Sequence, residues 1–130
     1  MKNVGLILIF CILFLSCDND DANNAELIGD WQLIEVLADP GDGSGVFMPV
    51  TSNKILSFNS DGTVTSNGII CSISTDTDTP SSGTFSEEDM SITTSACSLA
   101  DFDYTFEING DTLTFFVVCI EACGVKYQKL

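Results

Sequence analysis

Strand-forming runs alternate with turn signals through most of this chain, and that spacing constrains its fold more than any other feature. The run from Trp31 to Leu37 has a period of two, which is typical of a strand. Asp61-Gly62 and Asn109-Gly110 are dipeptides that favour the positive φ of tight hairpins. The pattern predicts an all-β domain of about eight short antiparallel strands, arranged as a small barrel or a sandwich.

Eight segments are predicted as strands. In chain order they are 31–37, 54–59, 63–72, 83–86, 90–97, 102–108, 113–119 and 125–130. In the sixth, Phe102, Tyr104, Phe106 and Ile108 share one face. The seventh is apolar on both faces, which indicates either a strand buried on both sides or one that faces a barrel interior. Consecutive hairpins favour a meander over Greek-key crossings.

The first residues of the chain have the composition of an export signal. Lys2 precedes an uncharged apolar run from Val4 to Leu15, and an acidic segment begins at Asp18. The run is shorter than the 20 or so apolar residues that a membrane-spanning helix needs. We therefore expect residues 1–16 to be a signal peptide and do not expect a retained transmembrane anchor.

Leu15-Ser16-Cys17 resembles the lipobox of bacterial lipoproteins, although Phe14 stands where that family usually has Leu, Val or Ile. The resemblance implies cleavage after Ser16 and lipidation of Cys17, and two or more acyl chains hold a protein firmly on a membrane. The alternative is an ordinary signal peptide with an incidental cysteine. We expect residues 17–25 to be the lipidated cysteine and an acidic, flexible tether.

The acidic tether bears on location. A run such as that after Cys17 resembles a surface-export signal in one group of Gram-negative bacteria, whereas Asp after the cysteine marks inner-membrane retention in others. We expect a lipid anchor in the bacterial outer membrane, with exposure at the cell surface. The partner predicted for the N-terminus is therefore the membrane.

Charge excludes several function classes. The chain carries a net charge of −15, with no histidine, and beyond Lys2 its only cations are Lys54, Lys126 and Lys129. Phosphate neutralisation on nucleic acids requires clustered Lys and Arg, and histidine-based catalysis requires histidine. We expect no nucleic-acid binding, no enzymatic activity and no cofactor. Residues 26–130 are long enough for one domain with a core, and we expect a monomer.

Four cysteines lie within the predicted domain: Cys71, Cys97, Cys119 and Cys123. An even number in an oxidising envelope compartment predicts two disulfides. The alternative, a four-cysteine zinc site, normally uses pairs such as Cys-x-x-Cys, which this spacing lacks. Three connectivities are open, and we favour Cys71–Cys97 with Cys119–Cys123.

Two sets of residues are candidate binding groups. Asp39 and Asp42, among glycines, could offer oxygen ligands to Ca²⁺, but the spacing does not match an EF-hand and we favour a mobile loop at a barrel mouth. Six aromatic residues could line an apolar ligand cavity or simply fill a small barrel. They are Trp31, Phe58, Phe85, Tyr104, Phe106 and Phe115.

The ordered motifs resemble those of the small lipocalin-like lipoproteins of Gram-negative envelopes. Gly29-Asp30-Trp31 is similar to the Gly-x-Trp signature of lipocalins, and Cys119-x-Glu121-x-Cys123 closes the set. The resemblance covers residues 26–130 and implies an up-and-down barrel whose tryptophan plugs one end. No arginine is present to pack across Trp31. A second resemblance, to the META domain, rests on Asp61-Gly62 and Ser82-Gly83-Thr84-Phe85.

Together these features predict a lipid-anchored, non-enzymatic envelope protein. We expect it to bind a small apolar ligand or a partner at the open end of the barrel, near residues 39–50 and 75–82. The alternative is a structural or interaction lipoprotein with a filled barrel and no ligand.

Overall fold

The computed structural model of the chain describes residues 27–97, 99 and 102–130. The predicted signal peptide, Cys17 and the tether lie outside these residues. The strands are β1 (Gly29–Ala38), β2 (Met48–Pro49), β3 (Ile55–Phe58), β4 (Thr63–Ser66), β5 (Ser81–Ser86), β6 (Ser91–Thr93), β7 (Tyr104–Asn109), β8 (Thr112–Phe116) and β9 (Cys123–Lys129).

Eight of these strands form a closed antiparallel barrel. Consecutive strands pair in the order β1-β3-β4-β5-β6-β7-β8-β9, and β9 returns to pair with β1. The short β2 pairs with β1 at Val36↔Met48, beyond the segment that β3 covers. The predicted all-β, up-and-down barrel is therefore confirmed. Among the described residues, no helix is long and apolar enough to span a bilayer.

A bulge in β1 decides where its acidic residue points. Strict alternation from Trp31 and Leu33 would carry Glu35 to the barrel interior. The register against β9 shifts between Leu33 and Glu35, so that one extra residue intervenes. Glu35 thereby faces outward, where its carboxylate lies 2.8 Å from the ammonium of Lys126. The predicted alternation is thus correct for the first half of β1 and wrong after the bulge.

Three predicted strands are shorter than expected, and one of them, 113–119, ends at Phe116. The segment 63–72 stops being a strand at Ser66, because the Asn67 side chain takes the place of a backbone partner and bonds to Ile55 N–H and Asn53 C=O. A side-chain carbon at Gly68 would collide with the carbonyl of Asp76, so the chain approaches itself too closely there for any other residue. The segment 90–97 is a strand only over Ser91–Thr93.

The two apolar segments near the C-terminus also differ from prediction. β7 begins at Tyr104, and Phe102 lies outside the strand, 45% exposed, with its ring against that of Tyr104. β8 buries Leu113 on its inner face, whereas Phe116 is 39% exposed. A strand buried on both sides is therefore wrong, and the alternative, a strand facing a barrel interior, is confirmed.

The connections separate the barrel into two unlike ends. At one end, which we call the turn end, hairpins of two to four residues occupy 59–62, 87–90 and 110–111. The connections at the other end, which we call the loop end, span six to sixteen residues, between β1 and β3, β4 and β5, β6 and β7, and β8 and β9. β1 begins at the turn end. The segments 39–50 and 75–82, predicted to share the barrel mouth, do lie at one end.

Candidate functional site

The predicted aromatic set lies within the barrel. Trp31 is fully buried, and its indole N–H donates a 2.8 Å hydrogen bond to the Leu27 carbonyl. The ammonium of Lys129 lies 5.2 Å from the centre of the indole ring. A cation therefore does cover this tryptophan, although no arginine is present, because the last strand supplies a lysine.

The remaining aromatic rings pack against one another. Phe58 contacts Phe85 edge to face, with ring centres 5.1 Å apart, and Phe106 at 5.6 Å. Tyr104 lies 6.1 Å from Phe115. All of these but Phe85 are almost completely buried, and Phe85 packs against the same core. Rings that contact each other occupy the space between them, which is how the interior of a small barrel is normally filled.

Tyr127 places a polar atom in this interior. The hydroxyl of Tyr127 is buried and makes no hydrogen bond with the described residues. Burial raises the pKa of this phenol, because the charged form would lose its solvation. An unpaired hydroxyl in an apolar interior costs free energy, so it is a potential partner for a water or a ligand oxygen. The sequence pattern did not single out Tyr127.

At the loop end, Asp39 organises the glycine-rich segment that follows β1. One carboxylate oxygen accepts hydrogen bonds from the N–H groups of Gly41, Asp42 and Gly43, and the other accepts one from Gly45. These bonds, with Gly45 and then Gly41 contributing most, hold the pKa of Asp39 below its usual value. The segment predicted to be mobile is therefore wound around one carboxylate.

The same contacts bear on the calcium hypothesis. The oxygens of Asp39 are occupied by backbone donors, and Asp42 accepts a hydrogen bond from Ser44 N–H. Within the described part of the chain, no group of three or more Cys, Asp or Glu side chains is placed to share a metal ion. Asp39 and Asp42 consequently serve the loop's own structure.

Lys54 is a buried cation that the sequence analysis missed. Its side chain is fully buried, and its ammonium donates hydrogen bonds to the carbonyls of Ser72 at 2.8 Å and Ser74 at 3.2 Å. Burial lowers the pKa of Lys54 to about 8, opposed by the charge of Asp76. Period-two alternation places Lys54 on the same inner face as Leu56. That alternation is the sequence signal from which the burial of Lys54 could have been predicted.

Both disulfides lie at the loop end. Cys71 pairs with Cys97, which joins the β4–β5 connection to the segment after β6, and Cys119 pairs with Cys123 across the β8–β9 turn. The predicted disulfides and the favoured connectivity are confirmed. The second bond closes a loop that presents Ile120, whose side chain is 100% exposed.

Exposed apolar side chains gather around that turn. Phe47 lies on the outside of the barrel against Gly124, and Phe116 is the cross-strand neighbour of the same glycine. Further exposed apolar residues lie next to Phe47 in the chain and along the β8–β9 turn. We call this set the apolar rim: Val46, Met48, Phe116, Val118 and Ile120, each between 39% and 100% exposed. Several exposed apolar side chains at one end of a domain are typical of an interaction surface.

Acidic groups border the apolar rim. The side chain of Glu121 lies beside Gly41, within the loop that Asp39 organises. Asp42 in that loop is exposed. Lys126 is already engaged by Glu35 and by the Phe47 ring, whose centre lies 4.3 Å from its ammonium. The surface is therefore apolar in its centre and negative at its edge.

Comparison with known proteins gives one match. The family model described as a lipocalin-like domain matches residues 27–117, which run from two residues before β1 to the residue after β8. No curated protein and no solved structure matches the chain.

Proposed function

We propose that this chain, which belongs to the lipocalin-like domain family, is a lipid-anchored protein of the bacterial cell envelope that binds a partner through the apolar rim. The observation that carries this proposal is Ile120, a fully exposed apolar side chain on a turn closed by the Cys119–Cys123 disulfide. A constrained turn loses little conformational entropy on binding, so its apolar tip is suited to be a contact anchor.

The position of the anchor agrees with this role. Lipidation at Cys17 would attach the chain ahead of β1, which enters the barrel at the turn end. The tether, residues 18–25, reaches about 25–29 Å when fully extended. The apolar rim lies at the opposite end of the barrel from the start of β1, so attachment at Cys17 leaves it accessible to a partner.

A second candidate function is binding of a small apolar ligand. The unpartnered hydroxyl of Tyr127 favours it, because a ligand oxygen inside the barrel would satisfy that group. The packed aromatic rings favour the other alternative, a filled barrel without a ligand. Partner binding at the rim is compatible with a filled barrel, which is why we place it first.

Anchoring is tested by fractionation. We expect the Cys17→Ala chain to leave the membrane fraction and appear in the soluble envelope fraction, while the unchanged chain stays with the outer membrane. A Cys17→Ala chain that remains in the membrane fraction would contradict lipid anchoring.

Rim binding is tested by photo-crosslinking in intact cells. A photoreactive residue at position 120 is expected to give one discrete adduct, and the same residue at position 60, exposed in the 59–62 turn at the turn end, is the matched control. Loss of the adduct on Val118→Ser would place the contact on the rim. Identical adducts from both positions, or none, would contradict it. Mass spectrometry of organic extracts from natively purified protein tests the ligand alternative separately.

A further inference from the structure

The seam between β6 and β7 leaves part of β7 without a neighbour. These strands pair only at Ser91↔Thr105 and Ile92↔Tyr104, and one further bond joins Phe106 N–H to the Met90 carbonyl at 2.9 Å. β7 nevertheless continues to Asn109. Its last three residues therefore have β8 on one side and, among the described residues, no strand on the other.

The hairpin geometry shows which backbone groups face that gap. Asn109 and Thr112 flank a two-residue turn, so their backbone groups exchange hydrogen bonds. The next hydrogen-bonded pair along the two strands is Glu107 and Thr114. The residue between them, Ile108, must turn its N–H and C=O the other way. An unpaired strand edge of this kind is a template for a further strand.

A groove lies along this edge. Its volume is about 530 Å³, and it is open to solvent. Apolar and polar side chains contribute to it in equal number. The lining residues are Met90, Phe106, Glu107, Ile108, Asn109 and Thr114. A free strand edge beside a groove of mixed character is the arrangement by which proteins accept an extended peptide.

Met90 has a backbone conformation that methionine does not favour. Its φ is 48°, the only positive value among the described residues other than glycine. Glycine or asparagine would adopt this left-handed conformation at lower cost. The chain instead carries methionine there; Met90 packs against the core and is one of the residues that line the groove. The strained position and the groove are therefore two separate observations at one place.

Charge indicates what the groove accepts. The turn that leads into Met90 consists of Glu87, Glu88 and Asp89, and Glu107 lines the groove itself. We propose that an extended segment of a partner protein, with alternating apolar and basic side chains, adds as a strand to the free edge of β7 at Ile108. This site lies at the turn end and does not depend on the apolar rim.

The proposal is tested with a defined probe. The chain as isolated from cells, in zwitterionic detergent, is titrated with an acetylated and amidated hexapeptide of alternating lysine and valine. Amide NMR is expected to show saturable shifts centred on Ile108 and at least roughly tenfold slower hydrogen exchange of its N–H at saturation. The corresponding glutamate–valine peptide is expected not to bind.

Paired variants locate the site. Met90→Gly keeps the backbone conformation and removes the side chain, so binding should weaken about fivefold, as expected for loss of a partly buried apolar contact. Met48→Gly, an exposed methionine at the loop end, is the control and should not change binding. Glu107→Gln should weaken binding about twofold to threefold, and Glu121→Gln should not.

Several results would overturn the proposal. One is protection of the Ile108 N–H from hydrogen exchange before any peptide is added. In that case residues 1–26 or a second copy of the chain would already cover the edge. Equal binding of the two peptides, or equal loss from Met90→Gly and Met48→Gly, would do so as well. Absence of saturable binding would also refute it, and none of these results would bear on the crosslinking at position 120.

Discussion

The two ends of this barrel are stabilised in different ways. At the turn end, local chemistry suffices: Asp61 accepts hydrogen bonds from the N–H and the hydroxyl of Thr63, and Gly110 supplies a φ of 58°. At the loop end, long connections are held by cross-links, namely two disulfides, the buried Lys54 and the Asp39 carboxylate. Packing and tight turns leave little conformational freedom at the turn end. At the loop end the cross-links hold the backbone, so the side chains on its surface can differ without loss of the fold.

The difference explains how apolar residues are used at each end. Near the turn end, Leu27 and Trp31 are buried and close the interior. At the loop end, Ile120 and Met48 are displayed to solvent on segments whose backbone is fixed by other means. A turn closed by a disulfide does not need the Ile120 side chain for stability, so that side chain is available for contacts, whereas Ile70 in the β4–β5 connection is buried in the core. Substitutions at the two ends should therefore have opposite consequences for stability and binding.

The largest effect is expected from Trp31→Ala. This change removes the biggest fully buried side chain, its hydrogen bond to Leu27 and its contact with Lys129, and should lower the free energy of unfolding by roughly 3–5 kcal/mol. Urea denaturation measures it. Ile120→Ala, the matched apolar truncation at the loop end, should stay within about 0.5 kcal/mol. Equal costs for the two variants would break the proposed contrast.

The turn end was largely predictable from the sequence. Its hairpins follow from Asp61-Gly62 and Asn109-Gly110, whose backbone preferences act within a few residues. Even there, the structure centres the second turn on Gly110 and Asp111, one residue later than the dipeptide suggests. Local propensity therefore determined the meander, and the closure of β9 onto β1 followed from the family resemblance.

The next largest effect on stability is expected from removing the two disulfides one at a time. Removing Cys71 and Cys97 together as alanines releases a loop with a sequence separation of 26, which should cost roughly 3–4 kcal/mol by chain entropy. Removing Cys119 and Cys123 releases a separation of only 4 and should cost roughly 2 kcal/mol. Denaturation of the two double variants under identical buffer conditions gives the comparison. A larger loss from the second pair would mean that the β8–β9 turn supports the barrel rather than the rim.

The loop end was less predictable, for a physical reason. Lys54 and the β1 bulge owe their roles to contacts with a segment distant in the chain and to a one-residue change of register, and neither leaves a composition signal. Cysteine counting did predict the cross-links, because pairing is a discrete choice among three connectivities. The exposure of Ile120 could not be derived, since an apolar residue that directly follows an apolar strand is normally taken as buried.

The smallest effect concerns Lys54 and pH. Because burial lowers the pKa of Lys54 to about 8 in the folded chain, against 10.5 for an ordinary lysine, the unfolded chain binds more protons between these two values. The burial penalty is full below pH 8 and is relieved as pH rises, so stability should increase by roughly 1–2 kcal/mol between pH 7.5 and 10. Above pH 10 the buried Tyr127 acts oppositely, since its pKa is raised on folding.

Lys54→Met distinguishes this contribution from the general effect of alkali. The variant keeps a long side chain in the buried position but has nothing to titrate, so its unfolding free energy should lack the rise between pH 7.5 and 10. Lys126→Met, which removes a half-exposed lysine paired with Glu35, should retain the rise. If both variants keep it, the connection between β4 and β5 is not held by a buried cation, and the loop end depends on its disulfides and Asp39 alone.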